Sequence, residues 1–195
     1  MPLPRFKYFP DPVAAGSIEP SETVCIVCKQ ARGYAHIAPI FGDESQFQDE
    51  LDGELFEENI CPWCIADGSS HRKFGVFFNA NSEHGYYDFL GEFDDVPGAI
   101  LEEITHRTPG IRGLQDPKWF FHCREAAEFL GPCGISELKG YGPRAIRAIR
   151  EQIDWTDDSS KIDKWMEDLA RDGSPRAYLF RCLHCGAFGG YSDCD

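Results

Sequence analysis

No stretch of this sequence approaches the roughly 18 apolar residues that a membrane-spanning helix requires, so a membrane protein is not expected. The opening MPLPRFKYFPDPVAAGSIEPS also lacks the apolar run of a signal peptide, which predicts residence in the cytosol. Positive charge is scarce. Nineteen Lys and Arg face 33 Asp and Glu, a formal charge of −14, where proteins that coat phosphate backbones usually carry the opposite sign. General nucleic-acid binding is therefore disfavoured. Also missing are a Walker-type glycine loop, a GxSxG elbow and an HExxH zinc helix, which removes the most recognisable routes to catalysis. No internal repeat stands out beyond the cysteine motifs.

What the chain does contain is a core and a surplus of thiols. With 195 residues, 42% hydrophobic, and 15 phenylalanines, it is long and apolar enough to fold without covalent staples. Its nine cysteines then need another explanation, and in a reducing compartment closely spaced pairs point to metal binding or catalysis. Three pairs read Cys-x-x-Cys: Cys25 with Cys28, Cys61 with Cys64, and Cys182 with Cys185. The tight turn of such a knuckle points two thiolates to one side and lets nearby amides donate to the sulfurs, as a tetrahedral zinc site requires. Cys25, Cys28, Cys61 and Cys64 form the first predicted zinc site, across an intervening 32 residues. Two competing readings are a redox pair in CPWC at a helix start, and cysteines buried merely as small apolar residues.

For the third pair the candidate completing ligands are Cys123 and His122, with His184 and Cys194 as alternatives. A helix expected over DPKWFFHCREAAEFLG counts against His122 and Cys123 sharing one ion, because helical neighbours point about 100° apart. Cys133, in GPCG, reads as structural.

The order of elements is mixed, which predicts an α+β fold. The proline-rich first 20 residues should form an ordered, extended arm, because Phe6, Tyr8 and Phe9 favour burial. Residues 23–41 read as a hairpin. An amphipathic helix is expected over 43–58, with Phe47, Leu51 and Leu55 four apart, and another opening near Cys64. Further helices are expected in PGAILEEITHRTPG, GPRAIRAIREQI and SSKIDKWMEDLARDG, and a final strand in RAYLFRCLHCGAFGGYSDCD. One domain over 1–195 is predicted, divisible into a cysteine-rich metal lobe (1–90) and a mainly helical lobe (91–195) ending in a cysteine knuckle. The first metal site then has the knuckle, hairpin and helix order of a treble clef.

Several long strings, PLPRFKYFPDPVAAGSIEPS, VCIVCKQARGY, CPWCIADGSSHRKF, HCREAAEFLG and SPRAYLFRCLHCGAFGGYSDCD, make the chain resemble the CbrC-like family of bacterial, colicin-tolerance-associated proteins. The resemblance runs nearly end to end. It implies zinc ligation by the cysteine pairs and a role in tolerance to a DNA-cleaving toxin.

The leading expectation is thus a zinc-binding cytosolic immunity or tolerance protein that neutralises a nuclease-type protein toxin. Nuclease toxins need positive charge to hold phosphates, and Asp43, Glu44, Asp49, Glu50, Asp52, Glu54, Glu57 and Glu58 would supply the complementary face. The bland alternative is a solvated acidic surface. An enzyme, either zinc-dependent or using a cysteine nucleophile, is the second reading. It is weakened because four cysteines close a zinc site, and because His122 is an unsuitable base for an adjacent helical Cys123, leaving only His71, His84 or His106. A nucleic-acid-binding regulator is the third. It rests on ELKGYGPRAIRAIR, where Gly140 and Gly142 and the arginines 144, 147 and 150 imitate a helix-hairpin-helix loop, but nearby Glu137, Glu151 and Asp154 oppose it.

Overall fold

The computed structural model describes residues 2–42, 59–79, 89–115 and 117–195. The arm is ordered. Phe6, Tyr8 and Phe9 are all buried, and the Tyr8 carbonyl accepts from the Phe129 amide (2.7 Å), which ties the arm to the strand it crosses. Strands β1 (Ile18–Val24) and β2 (Ala31–His36) then form an antiparallel hairpin. It begins earlier than its apolar residues suggest, because the cysteine knuckle takes up the positions between the strands. The helix expected over 43–58, with all eight of its acidic residues, lies outside the described residues.

Two short helices follow, α1 (Pro62–Ala66) and α2 (Ser69–Phe74), and then strand β3 (Phe89–Gly91) and helix α3 (Gly98–Arg107). The stretch expected to be helical from residue 116 is instead three strands: β4 (Trp119–His122), β5 (Glu125–Ala126) and β6 (Glu128–Cys133). Asp116-Pro117 imitates a helix start, but Trp119 and Phe121 are buried while Phe120 and His122 are partly exposed. That alternation has the period of a strand, and aromatics favour a pleated surface. Cys123 (φ 57°) and Arg124 (φ 58°) then reverse the chain in left-handed conformations, so a helix cannot pass through them.

Helices α4 (Ile135–Tyr141), α5 (Pro143–Arg150) and α6 (Ser159–Asp168) precede the closing hairpin of β7 (Arg176–Arg181) and β8 (Phe188–Asp193). The fold is therefore α+β, with three small sheets, ordered β1-β2, β3-β4-β5 and β6-β7-β8. Strand β7 is central to the last, and from Ala177 to Phe180 it is buried on both faces. Tyr178 and Phe180 pack with Phe9, Trp119, Phe121 and Phe129. Ala177 and Leu179 face the opposite way, onto Leu138, Ala145, Ile149 and Met166 of the three helices. Each large side chain so buried contributes roughly 1.5–3 kcal/mol, and this double-sided core holds the two hairpins at fixed positions. Cys133 is buried in the helical cluster. No helix among the described residues is long and apolar enough to cross a membrane.

Candidate metal centres

The residues 25–30 and 182–187 form the same structure twice. In each, the first cysteine amide donates to the carbonyl five residues on (Cys25 to Gln30, 3.0 Å; Cys182 to Ala187, 2.8 Å). The residue four positions on donates back to that cysteine carbonyl (Lys29, 2.8 Å; Gly186, 3.0 Å). Both returning residues are left-handed, Lys29 at φ 58° and Gly186 at φ 69°. Each knuckle is the tip of a hairpin, β1–β2 or β7–β8, so the sheets aim two sulfurs outward at a second element.

At the first knuckle that element is α1. Cys61 is its N-cap and Pro62 its first residue, where a missing amide hydrogen costs nothing, so Cys64 falls one turn into the helix on the same side as Cys61. The sulfur separations are 3.8 Å for Cys25–Cys64, 3.8 Å for Cys28–Cys61 and 3.5 Å for Cys61–Cys64. Four ligands with bonds of about 2.3 Å at tetrahedral angles stand about 3.8 Å apart, while a disulfide would need about 2.05 Å. The four residues therefore fit one metal ion, and no disulfide joins them. Cys25, Cys61 and Cys64 are each 2% exposed. The Cys61 amide donates to Cys25 Sγ (3.3 Å). In the absence of an ion the Cys61 thiol, aided by the amides of Cys28, Cys61 and Val27, holds Cys25 down at about 4. Donation to Cys25, then burial, pushes Cys61 far up, and burial pushes Cys64 up to about 11. A cation held by the four would replace the protons that Cys61 and Cys64 otherwise keep.

The second knuckle meets the β4–β5 turn. His122, Cys123, Cys182 and Cys185 present ligand atoms all within 4.8 Å of one another. His122 Nδ1 is 3.1 Å from Cys123 Sγ and 3.3 Å from Cys185 Sγ, and the Cys123 and Cys185 sulfurs are 3.8 Å apart. These are close to the edges of a tetrahedral site with one nitrogen, about 3.6 Å for N to S and 3.8 Å for S to S. Contrary to the divergence expected of helical neighbours, these two adjacent residues converge, because His122 ends a strand and Cys123 opens a left-handed turn. The amide of Ala187 holds the Cys185 thiol below its ordinary value. Unlike the first group, this one meets solvent: Cys123 and Cys185 are exposed and Cys182 alone is buried.

Glu92 is the participant that sequence reasoning missed. Its carboxylate accepts from the Cys123 amide (3.1 Å) and stands 4.0 Å from His122 Nε2, the ring nitrogen turned away from the sulfurs. At that distance it makes no hydrogen bond to the ring, but it stands on the side from which an outer carboxylate commonly orients a ligating histidine. Only the parallel pairing of β3 with β4 brings residue 92 there, and nothing in its local sequence signals that. His184 faces Glu125 instead (3.7 Å), and His71 stacks on His106 (3.6 Å), so none of these joins either group. Cys194 also stays outside both.

A family model described as an uncharacterised protein family (UPF0167) matches residues 3–194. A UPF0167 protein of Mycobacterium bovis is 40% identical over 195 residues, covering 98% of this chain and 93% of its own length, and one of Mycobacterium tuberculosis matches equally. A UPF0167 protein of Pseudomonas aeruginosa is 32% identical over 185 residues, covering 95% of this chain and 93% of its own length. No solved structure matches.

Proposed function

The chain belongs to the UPF0167 family, and on that premise we propose that it is a two-zinc protein of the cytosol whose metals build a surface for binding another protein. The observation that carries this reading is the set of 3.5–3.8 Å sulfur separations among Cys25, Cys28, Cys61 and Cys64. Sulfur-rich tetrahedral sets suit zinc, and the knuckle followed by a helix start gives the first centre a treble-clef character. Four protein ligands leave neither ion an open position for a water nucleophile, which favours structural metal over hydrolysis. Metal analysis of the purified protein tests this. Two zinc ions per chain are expected, falling to one or fewer in Cys61→Ser with loss of structure around the first centre. Two zinc ions retained by Cys61→Ser would overturn the ligand set.

The partner proposed is a basic protein, and the CbrC-like resemblance narrows it to a nuclease-type toxin. The net charge of −14 supports this through steering and complementary potential. Co-purification with such a toxin that weakens as salt rises is expected, and failure to associate even at low salt would defeat it.

A further inference from the structure

Three arginines border one concavity in this otherwise acidic molecule. Arg112 from the segment after α3, Arg171 from the turn after α6, and Arg176 at the start of β7 line a cleft of about 480 Å³, floored in part by Gly16 and Gly113. Arg171 is already positioned, since its Nη2 donates to the Ala14 carbonyl across the cleft (2.7 Å). Arg112 is exposed. The Nε of Arg176 is buried with no hydrogen-bond partner.

Six cations elsewhere among the described residues pair with carboxylates: Lys7 with Glu125, Arg107 with Glu103, Arg147 with Glu151, Arg150 with Asp163, Lys164 with Asp168 and Arg181 with Glu128. Among the described residues none of the three cleft arginines forms such a pair. Asp193 stands opposite Arg176 in the β7–β8 ladder and tempers its charge without pairing with it. Asp172 is the one acidic residue in the lining. Three guanidinium groups against Asp172 in the lining and Asp193 beside Arg176 leave the cleft net positive, the complement of an anion. Guanidinium groups bind oxyanions through charge-assisted hydrogen bonds.

We propose that this cleft binds the phosphoryl group of a small phosphorylated molecule, with Arg112 and Arg176 as its ligands and Arg171 as a tethered third. The fork of a guanidinium matches phosphate oxygens two at a time, and the cleft exceeds what an oxyanion alone would fill.

Calorimetric titration of the metal-loaded, full-length protein at constant ionic strength tests this, with pyrophosphate, inorganic phosphate and citrate as probes. Saturable one-to-one binding of pyrophosphate is expected, weakened about tenfold or more in Arg112→Gln and in Arg176→Gln, because one charge-assisted hydrogen bond is worth that much. Arg144→Gln, which removes an exposed arginine of α5 outside the cleft, should leave the affinity unchanged. Arg112 is a surface residue, so its variant gives the answer even if Arg176→Gln folds poorly. Absence of saturable phosphate or pyrophosphate binding overturns the proposal, as does an equal loss in Arg144→Gln, while tighter binding of citrate overturns the phosphoryl assignment.

Discussion

Lys29 and Gly186 occupy the same place in the two knuckles, and they differ in cost. A side chain in the left-handed region costs about 1 kcal/mol that glycine avoids, part of which glycine returns as chain entropy. Lys29→Gly should therefore raise the stability of the metal-loaded protein by up to about 1 kcal/mol, and Gly186→Ala should lower it by about as much. Thermal melts of both variants check the opposite signs. Glu92→Gln keeps an acceptor for the Cys123 amide and removes the charge facing His122, so the second ion should bind about 10–100-fold more weakly while the first is unaffected. Competition with a chromophoric chelator reads this directly. His36 gives a pH signature unconnected with either centre. It is fully buried, its Nε2 accepts from the Gly110 amide (3.0 Å), and burial lowers its pKa from 6.5 to about 3. The unfolded chain takes up this proton as pH falls below 6.5, and the folded chain refuses it until about 3. Stability is then complete above pH 6.5 and declines by about 1.4 kcal/mol per pH unit below it. Urea melts between pH 6.5 and 5 should show a steeper fall in the native protein than in His36→Gln, whose amide oxygen can still accept from Gly110.

At the scale of elements, the hairpins and helices divide by how local their causes are. Helices α3, α5 and α6 were legible because their start signals, proline for α3 and α5 and the Asp158 cap for α6, and their recurrent apolar positions are carried within each segment. Residues 119–133 were not. Their identity as three strands depends on Phe121 filling the main core and on β4 finding β3 in parallel register, contacts made with distant parts of the chain. Strand β8 shows the same dependence. A Cβ on Gly189 would lie 2.4 Å from the Phe120 ring, and one on Gly190 would lie 2.1 Å from the Tyr178 carbonyl oxygen. Those glycines let the ring of β4 and the backbone of β7 approach closely, which keeps the second knuckle beside the β4–β5 turn. Gly189→Ala should cost about 1–3 kcal/mol by overpacking and should weaken the second ion together with the fold. Calorimetric melting with metal analysis of the same sample would reveal both effects, and an unchanged second ion would separate β8 packing from the centre.

Over the whole molecule, the two centres share knuckle geometry and differ in their surroundings. One sits among buried residues joining the first hairpin to α1, and the other is open to solvent between the β4–β5 turn and the last hairpin. A chelator should therefore remove the second ion first with the circular dichroism little changed, and the first only with cooperative unfolding. Simultaneous loss would show that the two form one stability unit. Sequence alone picked out the three Cys-x-x-Cys pairs as candidate ligands, because such turns are local and their sulfur chemistry needs no context. It also settled the α+β composition and the acidic balance. Which ligands share an ion was left to the tertiary structure for His122 and Cys123, since strand or helix changes where neighbouring side chains point. The same holds for Glu92 and for the arginines 112, 171 and 176. Charges far apart along the chain become a site only when burial of the aromatic core fixes the backbone around them.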